Sequence, residues 1–182
     1  MRKHYLLGTT LGALLLCAAT AQAQDTSFYL HGSLGQGKIE TEQFVSYEDD
    51  SDTTLAVAFG WRLRPWLAVE FGYNDFGNYQ SRCPAAVCPP LLVFRDLDYT
   101  SFELGLNFRV PFGDSGFFGV ARAGVHNWDV GFGGSNTDPR YGLGAGYVIN
   151  DRFDVSLDFD QFQTDNAIRD LDRVSVGVDF KF

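Results

Sequence analysis

His31 and Ser33 could act as a general base and a nucleophile, because they lie two positions apart in a stretch that alternates like a β-strand. Side chains at this spacing point to the same face of a strand and can approach each other. No carboxylate is adjacent in the sequence to orient the histidine, and a histidine and a serine at this spacing are common by chance. We therefore expect no enzyme activity and assign no catalytic residue.

The first 23 residues have the features of a secretory signal peptide. Arg2 and Lys3 form a basic start, an apolar stretch follows, and Ala21-Gln22-Ala23 is a small-x-small cleavage site. We therefore expect residues 1–23 to be removed and residues 24–182 to form one domain. Loss of Arg2 and Lys3 changes the net charge from −9 to −11. So acidic a chain lacks the basic surface that nucleic acid binding requires.

Cys83 and Cys88 remain as an even pair in an exported chain, where disulfides form and persist. A metal site is the alternative, but zinc takes four ligands and no histidine or further cysteine lies nearby in the sequence. We therefore predict a short Cys83–Cys88 disulfide loop, and we expect neither a metal ion nor another cofactor.

Strict alternation of apolar and polar residues recurs along the chain, with Gly, Pro, Asn and Asp between the runs. In the run at 55–62, for example, Leu55, Val57, Phe59 and Trp61 alternate with small or polar residues. Including this run, strands are predicted at 28–34, 55–62, 67–74, 102–110, 141–149, 153–159 and 174–182. An eighth strand is expected at 117–128, although its pattern is ambiguous.

The two faces of these strands differ in the way that a membrane barrel requires. The apolar faces of the seven regular strands carry no charge, whereas the opposite faces carry many charges and glycines, which suits a narrow barrel interior. Short connections alternate with long ones at about 39–53, 75–98, 129–139 and 161–171, as in transmembrane barrels. A soluble sandwich or lipocalin-like fold is the alternative. We predict an all-β, eight-stranded antiparallel up-and-down transmembrane β-barrel.

Aromatic residues near the strand ends predict a girdle at each membrane interface. The girdle at the short-turn end is predicted to contain Trp61, Trp66, Phe112, Phe153, Phe180 and Phe182. The girdle at the long-loop end is predicted to contain Tyr73, Phe76, Tyr99, Trp128 and Tyr141.

Arg122 decides the orientation of the ambiguous strand at 117–128. An arginine that faces lipid near the midplane costs about 2–4 kcal/mol, so we place Arg122 in the lumen, beside Glu103 on the neighbouring strand. Luminal acids and bases nearly balance, which predicts an ion-pair network that plugs the barrel. The predicted members are Glu70, Glu103, Arg109, Arg122, Asp158 and Arg173. A narrow or gated pore is the alternative, because the luminal glycines leave room for water.

Segments such as 28–35, 55–73 and 141–162 make the chain resemble the OmpA-like transmembrane barrel family, which includes small OmpX-type and opacity-type proteins. The ending at 174–182, with Phe180 and the terminal Phe182, resembles the signal by which the outer-membrane assembly machinery recognises barrels. The resemblance implies export through the periplasm to the cell outer membrane of a Gram-negative bacterium.

The resemblance also implies a function and partners. We expect a structural or surface-interaction role, such as adhesion or recognition, through long extracellular loops. The expected partners are outer-membrane lipids and lipopolysaccharide, the barrel assembly machinery and an extracellular or host ligand; we expect a monomer. One alternative is a narrow porin-like channel. Another is a lipid-A-modifying enzyme that uses His31 and Ser33, because some eight-stranded barrels modify lipid A with His and Ser.

Two predicted loops have compositions that suit contact with other molecules. Residues 39–53 contain six acids and no base, which favours divalent cations or a basic partner. The apolar run Pro89–Phe94 follows the cysteine pair and favours contact with a partner or a membrane. The alternatives are a solvated acidic loop and an apolar run that packs against neighbouring loops.

Overall fold

The computed structural model describes residues 28–41, 46–49, 51–82, 94–130, 134–164 and 168–182. These residues form the strands β1 (Phe28–Thr41), β2 (Ser46–Asp49), β3 (Ser51–Arg64), β4 (Leu67–Arg82), β5 (Phe94–Pro111), β6 (Phe117–Val130), β7 (Gly134–Val148), β8 (Phe153–Gln163) and β9 (Ile168–Lys181). Within these ranges, no helix has the length and the apolar content needed to cross a membrane.

The strands form one closed antiparallel barrel. Neighbours follow the order β2-β4-β3-β1-β9-β8-β7-β6-β5, and an additional pairing of β4 with β5 closes the sheet. The four-residue β2 pairs with the far end of β4, beyond the part of β4 that pairs with β3. Because β2 and β3 therefore share one position, the barrel has eight strand positions, which confirms the predicted fold.

The outer surface of the barrel is the apolar face that the alternation predicts. Leu143 is 66% exposed and Leu34 and Val176 are each 59% exposed, so large apolar side chains cover the outside. The strand β6 has the predicted register, with Phe117 and Val125 outside and Arg122 buried inside. Because the barrel is closed, every strand position has a hydrogen-bonded neighbour on both sides. The apolar outer surface suits the hydrocarbon core of a membrane.

Glycines on the inner face make room for large luminal side chains. A Cβ atom at Gly60 would overlap the ring of Tyr29, and Cβ atoms at Gly142 and Gly144 would overlap the carboxylates of the two aspartates paired beside them on β8. The enrichment of glycine on the polar face therefore reflects a crowded interior, as expected for eight strands.

The strands are longer than predicted at the long-loop end. The alternation placed a loop at about 75–98, but β4 continues to Arg82 and β5 begins at Phe94. The other three predicted loops are shortened in the same way. Above the membrane the outer face of a strand meets water instead of lipid, so strand pairing continues after the apolar alternation has ended.

The predicted girdle residues lie on the outside of the barrel at the short-turn end, but three of the five predicted at the long-loop end do not. Trp61 and Trp66 are 48% and 53% exposed beside the short turns. At the other end Tyr73 and Tyr141 face outward, whereas Phe76, Tyr99 and Trp128 are at most 5% exposed and point into the barrel. Their sequence positions belong to the inward-facing series of β4, β5 and β6. The alternation therefore indicated the inside, but the prediction followed the clustering of aromatic residues at strand ends.

Candidate functional site

Arg122 connects two acids from different sides of the lumen. Its Nη1 atom donates to Asp158 Oδ1 at 2.7 Å, and its Nε atom lies 3.4 Å from Glu70 Oε2. Glu70 also accepts hydrogen bonds from the Tyr29 hydroxyl at 2.6 Å and from Asn107 Nδ2 at 2.7 Å. We call this group of five residues the middle layer. It joins β1, β4, β5, β6 and β8 across the interior.

An upper layer of charges lies nearer the long-loop end. Arg140 pairs with Glu103, and Arg173 Nη2 donates to Asp160 Oδ2 at 2.7 Å. Asn74 connects the two pairs, because it accepts from Arg173 Nη1 at 2.6 Å and donates to Glu103 Oε2 at 2.8 Å. The five residues of the upper layer are buried, so each charge has its partner in the low-dielectric interior that such charges require.

A lower layer of charges lies at the short-turn end. Asp154 accepts from Arg109 Nη1 at 2.7 Å and from Lys181 Nζ at 2.8 Å. The guanidinium carbon of Arg109 is 3.4 Å from the ring centroid of Phe118, and that of Arg62 is 5.2 Å from the ring of Tyr29. The cations of this layer therefore pack on aromatic faces as well as on a carboxylate.

An apolar cap closes the lumen above the upper layer. It is formed by the buried residues Phe76, Tyr99, Trp128, Phe162 and Leu171. Phe162 lies at its centre, with its ring edge-on to Phe76 at a centroid distance of 4.9 Å and to His126 at 5.2 Å. The same ring faces the guanidinium carbons of Arg173 at 5.1 Å and Arg140 at 5.6 Å. The cap therefore packs directly on the charges beneath it.

The His31 side chain is oriented by a carboxylate that the sequence spacing did not reveal. His31 Nδ1 lies 2.7 Å from Asp179 Oδ1, because β1 and β9 place the two residues opposite each other. Ser33 also faces the lumen, and no hydrogen bond to its hydroxyl is found within the described residues. In the same part of the chain, no group of three His, Cys, Asp or Glu side chains is placed to hold a metal ion.

The six predicted network residues all face the lumen, but the one pairing that we predicted among them is wrong. Arg122 pairs with Glu70 and Asp158, not with Glu103 as we expected. The carboxylate of Glu103 pairs instead with Arg140, a residue outside the predicted set. Arg109 and Arg173 likewise pair with aspartates of β8 outside the predicted set. A signal for Arg140 was present, because it continues the inward series of β7.

Three features predicted from the sequence lie wholly or mostly outside the described residues. The signal peptide at 1–23 and the Cys83–Cys88 loop fall entirely outside them, as does most of the apolar run Pro89–Phe94. Only parts of the acidic segment 39–53 are described, and these belong to β1, β2 and β3. All three features stay predictions.

At the end of the chain, the two aromatic residues of the predicted assembly signal lie beside the seam between the first and last strands. The Phe182 amide donates to the Phe28 carbonyl at 3.2 Å, and the Phe180 and Phe182 ring centroids are 6.1 Å apart.

Comparison with known proteins finds a matching family model and several similar structures. A family model described as an outer membrane protein β-barrel domain matches residues 9–182. The crystal structure of Neisserial surface protein A is similar, with 18% identity and a TM-score of 0.55, over 86% of this chain and 98% of that one. OprG from Pseudomonas aeruginosa gives 16% identity and a TM-score of 0.59, over 86% and 96% of the two chains. The N-terminal β-barrel domain of Pseudomonas aeruginosa OprF gives 12% and 0.57, over 87% and 100%. No curated protein matches the sequence.

Proposed function

The chain belongs to the family of outer membrane protein β-barrel domains, and on that premise we propose that it is a plugged barrel that presents its outer strand ends and loops to an extracellular partner. The protein lies in the outer membrane. In barrels of this kind the short turns face the periplasm and the long connections face outward. The long-loop end is therefore the extracellular end.

The observation that carries the proposal is the filled lumen. Three layers of charges and the apolar cap follow one another from the periplasmic end to the extracellular end. An eight-stranded barrel is just wide enough for its side chains to fill the interior. Such an interior supports a role on the outer surface rather than the passage of solutes.

The strand extensions supply the surface for this role. The strands β4 and β5 pair as far as Arg82 and Phe94, well beyond the apolar belt. Asp75, Asp98 and Asp129 are exposed on the outer face of this region. With the acid-rich segment 39–53, they favour a cationic partner, such as a basic polypeptide or a divalent cation that bridges to lipopolysaccharide.

We propose no catalytic role for the protein. His31 and Ser33 face the filled lumen, whereas an enzyme that modifies lipid A needs its reactive groups within reach of the bilayer. The Asp179 carboxylate that orients His31 also belongs to the interior packing. A structural role for the pair is therefore the simpler interpretation.

Planar-bilayer recordings test the plug directly. We expect the refolded protein to give no discrete conductance steps, because the layers and the cap obstruct the lumen. Insertion is verified by the heat-modifiable gel migration of a closed barrel, and a large porin in the same bilayer verifies the assay. Discrete, reproducible steps from the refolded protein would contradict the plugged barrel and favour the narrow channel.

A loop replacement tests the surface role. Because Arg82 and Phe94 are paired neighbours, residues 83–93 can be replaced by Asn-Gly, a two-residue hairpin turn. We expect this variant to keep heat-modifiable migration and to lose at least about tenfold in affinity for a surface partner, which corresponds to about 1.4 kcal/mol. The measurement is a binding screen of expressing cells against extracellular-matrix and serum proteins.

A matched replacement of the β6–β7 connection at 131–133 by Asn-Gly controls for general effects of shortening a loop. If both variants bind as the unmodified protein does, residues 83–93 are not part of the interaction surface.

A further inference from the structure

The periplasmic mouth of the barrel has more positive charges than partners for them. Arg109 and Lys181 share the single carboxylate of Asp154, which uses one oxygen for each cation. Arg62 packs over the ring of Tyr29. Among the described residues, no carboxylate oxygen lies within ion-pair distance of its guanidinium. The three cations Arg62, Arg109 and Lys181 therefore outnumber the two carboxylates of this layer, Asp154 and Asp179, by one.

A small cavity lies between the two arginines of this mouth. Its volume is about 10 Å³, and its lining includes Tyr29, Arg62, Asn107, Arg109, Phe118 and Asp179. A volume of this size holds a single water-sized particle. A halide is larger than a water molecule, so its entry needs a small outward movement of the partly buried Arg62 side chain, whereas a phosphate or a carboxylate needs a much larger one. The Asp179 carboxylate also lines the cavity, but its Oδ1 atom is engaged by His31 Nδ1 at 2.7 Å.

We propose that this cavity binds one monatomic halide anion, of which chloride is the abundant example, between the guanidinium groups of Arg62 and Arg109. Guanidinium N–H groups are donors without acceptor capacity, so they favour an anion over a second donor. Phe118 and other apolar residues form part of the wall, and a halide accepts hydrogen bonds from any direction without needing a donor of its own. The bound anion would offset the surplus positive charge of the lower layer.

Thermal unfolding of the refolded full-length barrel tests the site at constant ionic strength. We expect sodium chloride to raise the unfolding midpoint saturably by about 3 °C relative to sodium gluconate, because a ligand that binds only the folded state stabilises it. The increment should disappear in Arg62→Gln. It should persist in Arg64→Gln, which removes an exposed arginine two positions away.

A crystal grown in sodium bromide gives a direct reading, with an anomalous peak expected between Arg62 and Arg109. If Arg62→Gln fails to fold, Arg62→Lys is the second variant, because it retains the positive charge without the planar guanidinium group. Chloride should raise its unfolding midpoint by less than it raises that of the unmodified protein. An increment of equal size in Arg62→Gln, or an empty cavity in the bromide crystal, would overturn the proposal. Either result leaves the plugged-barrel function unaffected, because that function depends on the layers and the cap.

Discussion

Replacing Arg122 by alanine is expected to lower the free energy of unfolding by about 3–5 kcal/mol, the cost of removing one partner from a buried ion pair. Arg122 is 6% exposed and is the cation between Glu70 and Asp158 in the middle layer. Its loss leaves two carboxylates in the interior without their nearest positive charge. Neither carboxylate can turn toward water, because layers of packed side chains lie above and below.

Urea unfolding in phospholipid vesicles measures this effect, with Trp61, Trp66 and Trp128 as fluorescent reporters. A shift in the midpoint at constant slope reports stability alone. Arg64→Ala, at an exposed position, should change the free energy by less than about 0.5 kcal/mol.

A triple variant separates the loss of charge balance from the loss of packing. Arg122→Met with Glu70→Gln and Asp158→Asn leaves no buried charge unpaired in the middle layer and should recover most of the stability. If Arg122→Ala loses less than about 1 kcal/mol, the ion pairs of the middle layer are not what holds the interior together.

The sequence was sufficient for the strands and their faces because lipid imposes a strict rule on one side of each strand. An outward position such as Leu143 must be apolar at the midplane, and this requirement is visible as an alternation with period two. The charge of Arg122, near the middle of β6, was enough to orient a strand whose pattern was otherwise ambiguous. The number of strands and the closure of the barrel followed from the same rule.

The ion-pair partners of Arg122 could not be read from the sequence, because they are not its neighbours in the register, unlike Asp160 and Arg173, which lie opposite each other on β8 and β9. Arg122 is paired along the sheet with Asn107 and Gly142, yet its charged partners are Glu70 and Asp158. Because the strands are tilted, side chains at the same level along the barrel axis are several register positions apart. A long arginine side chain reaches across the narrow lumen to such a partner. These contacts depend on the strand tilt and on the rotamers, and no local pattern encodes either.

The apolar cap was concealed for a different reason. Aromatic residues near strand ends suit both an interfacial girdle and the end of a packed interior, and composition alone does not separate the two. Phe76, at a position that alternation assigns to the inside, lies in the cap, whereas Tyr73, three residues earlier, lies on the outside. Alternation predicts these two positions correctly, because it separates inward-facing from outward-facing residues. The girdle rule gives only the level of a residue along the barrel axis.

Replacing Phe162 by alanine is expected to cost about 3–5 kcal/mol, as for other fully buried aromatic side chains. Phe162 is 0% exposed, and its ring contacts Phe76 and His126 in the cap and faces Arg140 and Arg173 below. Its removal leaves a cavity that the surrounding barrel wall cannot collapse to fill. Urea unfolding in vesicles measures the loss, and Phe162→Leu, which restores part of the volume, should lose about half as much.

Phe159→Ala is the matched control, because Phe159 lies on the same strand but is 46% exposed on the outer face. Lipid chains can move into the space that its ring leaves, so the variant loses apolar contact without forming a cavity and should cost less than Phe162→Ala. Equal losses in Phe159→Ala and Phe162→Ala would mean that the cap contributes no more than the lipid-facing surface.

We expect Phe162→Ala alone to remain non-conducting in planar-bilayer recordings, because the Glu103–Arg140 and Asp160–Arg173 pairs still obstruct the lumen beneath the cap. Conductance steps in Phe162→Ala would instead make the cap the sole barrier of the lumen, with the charged layers leaving a path for ions around them.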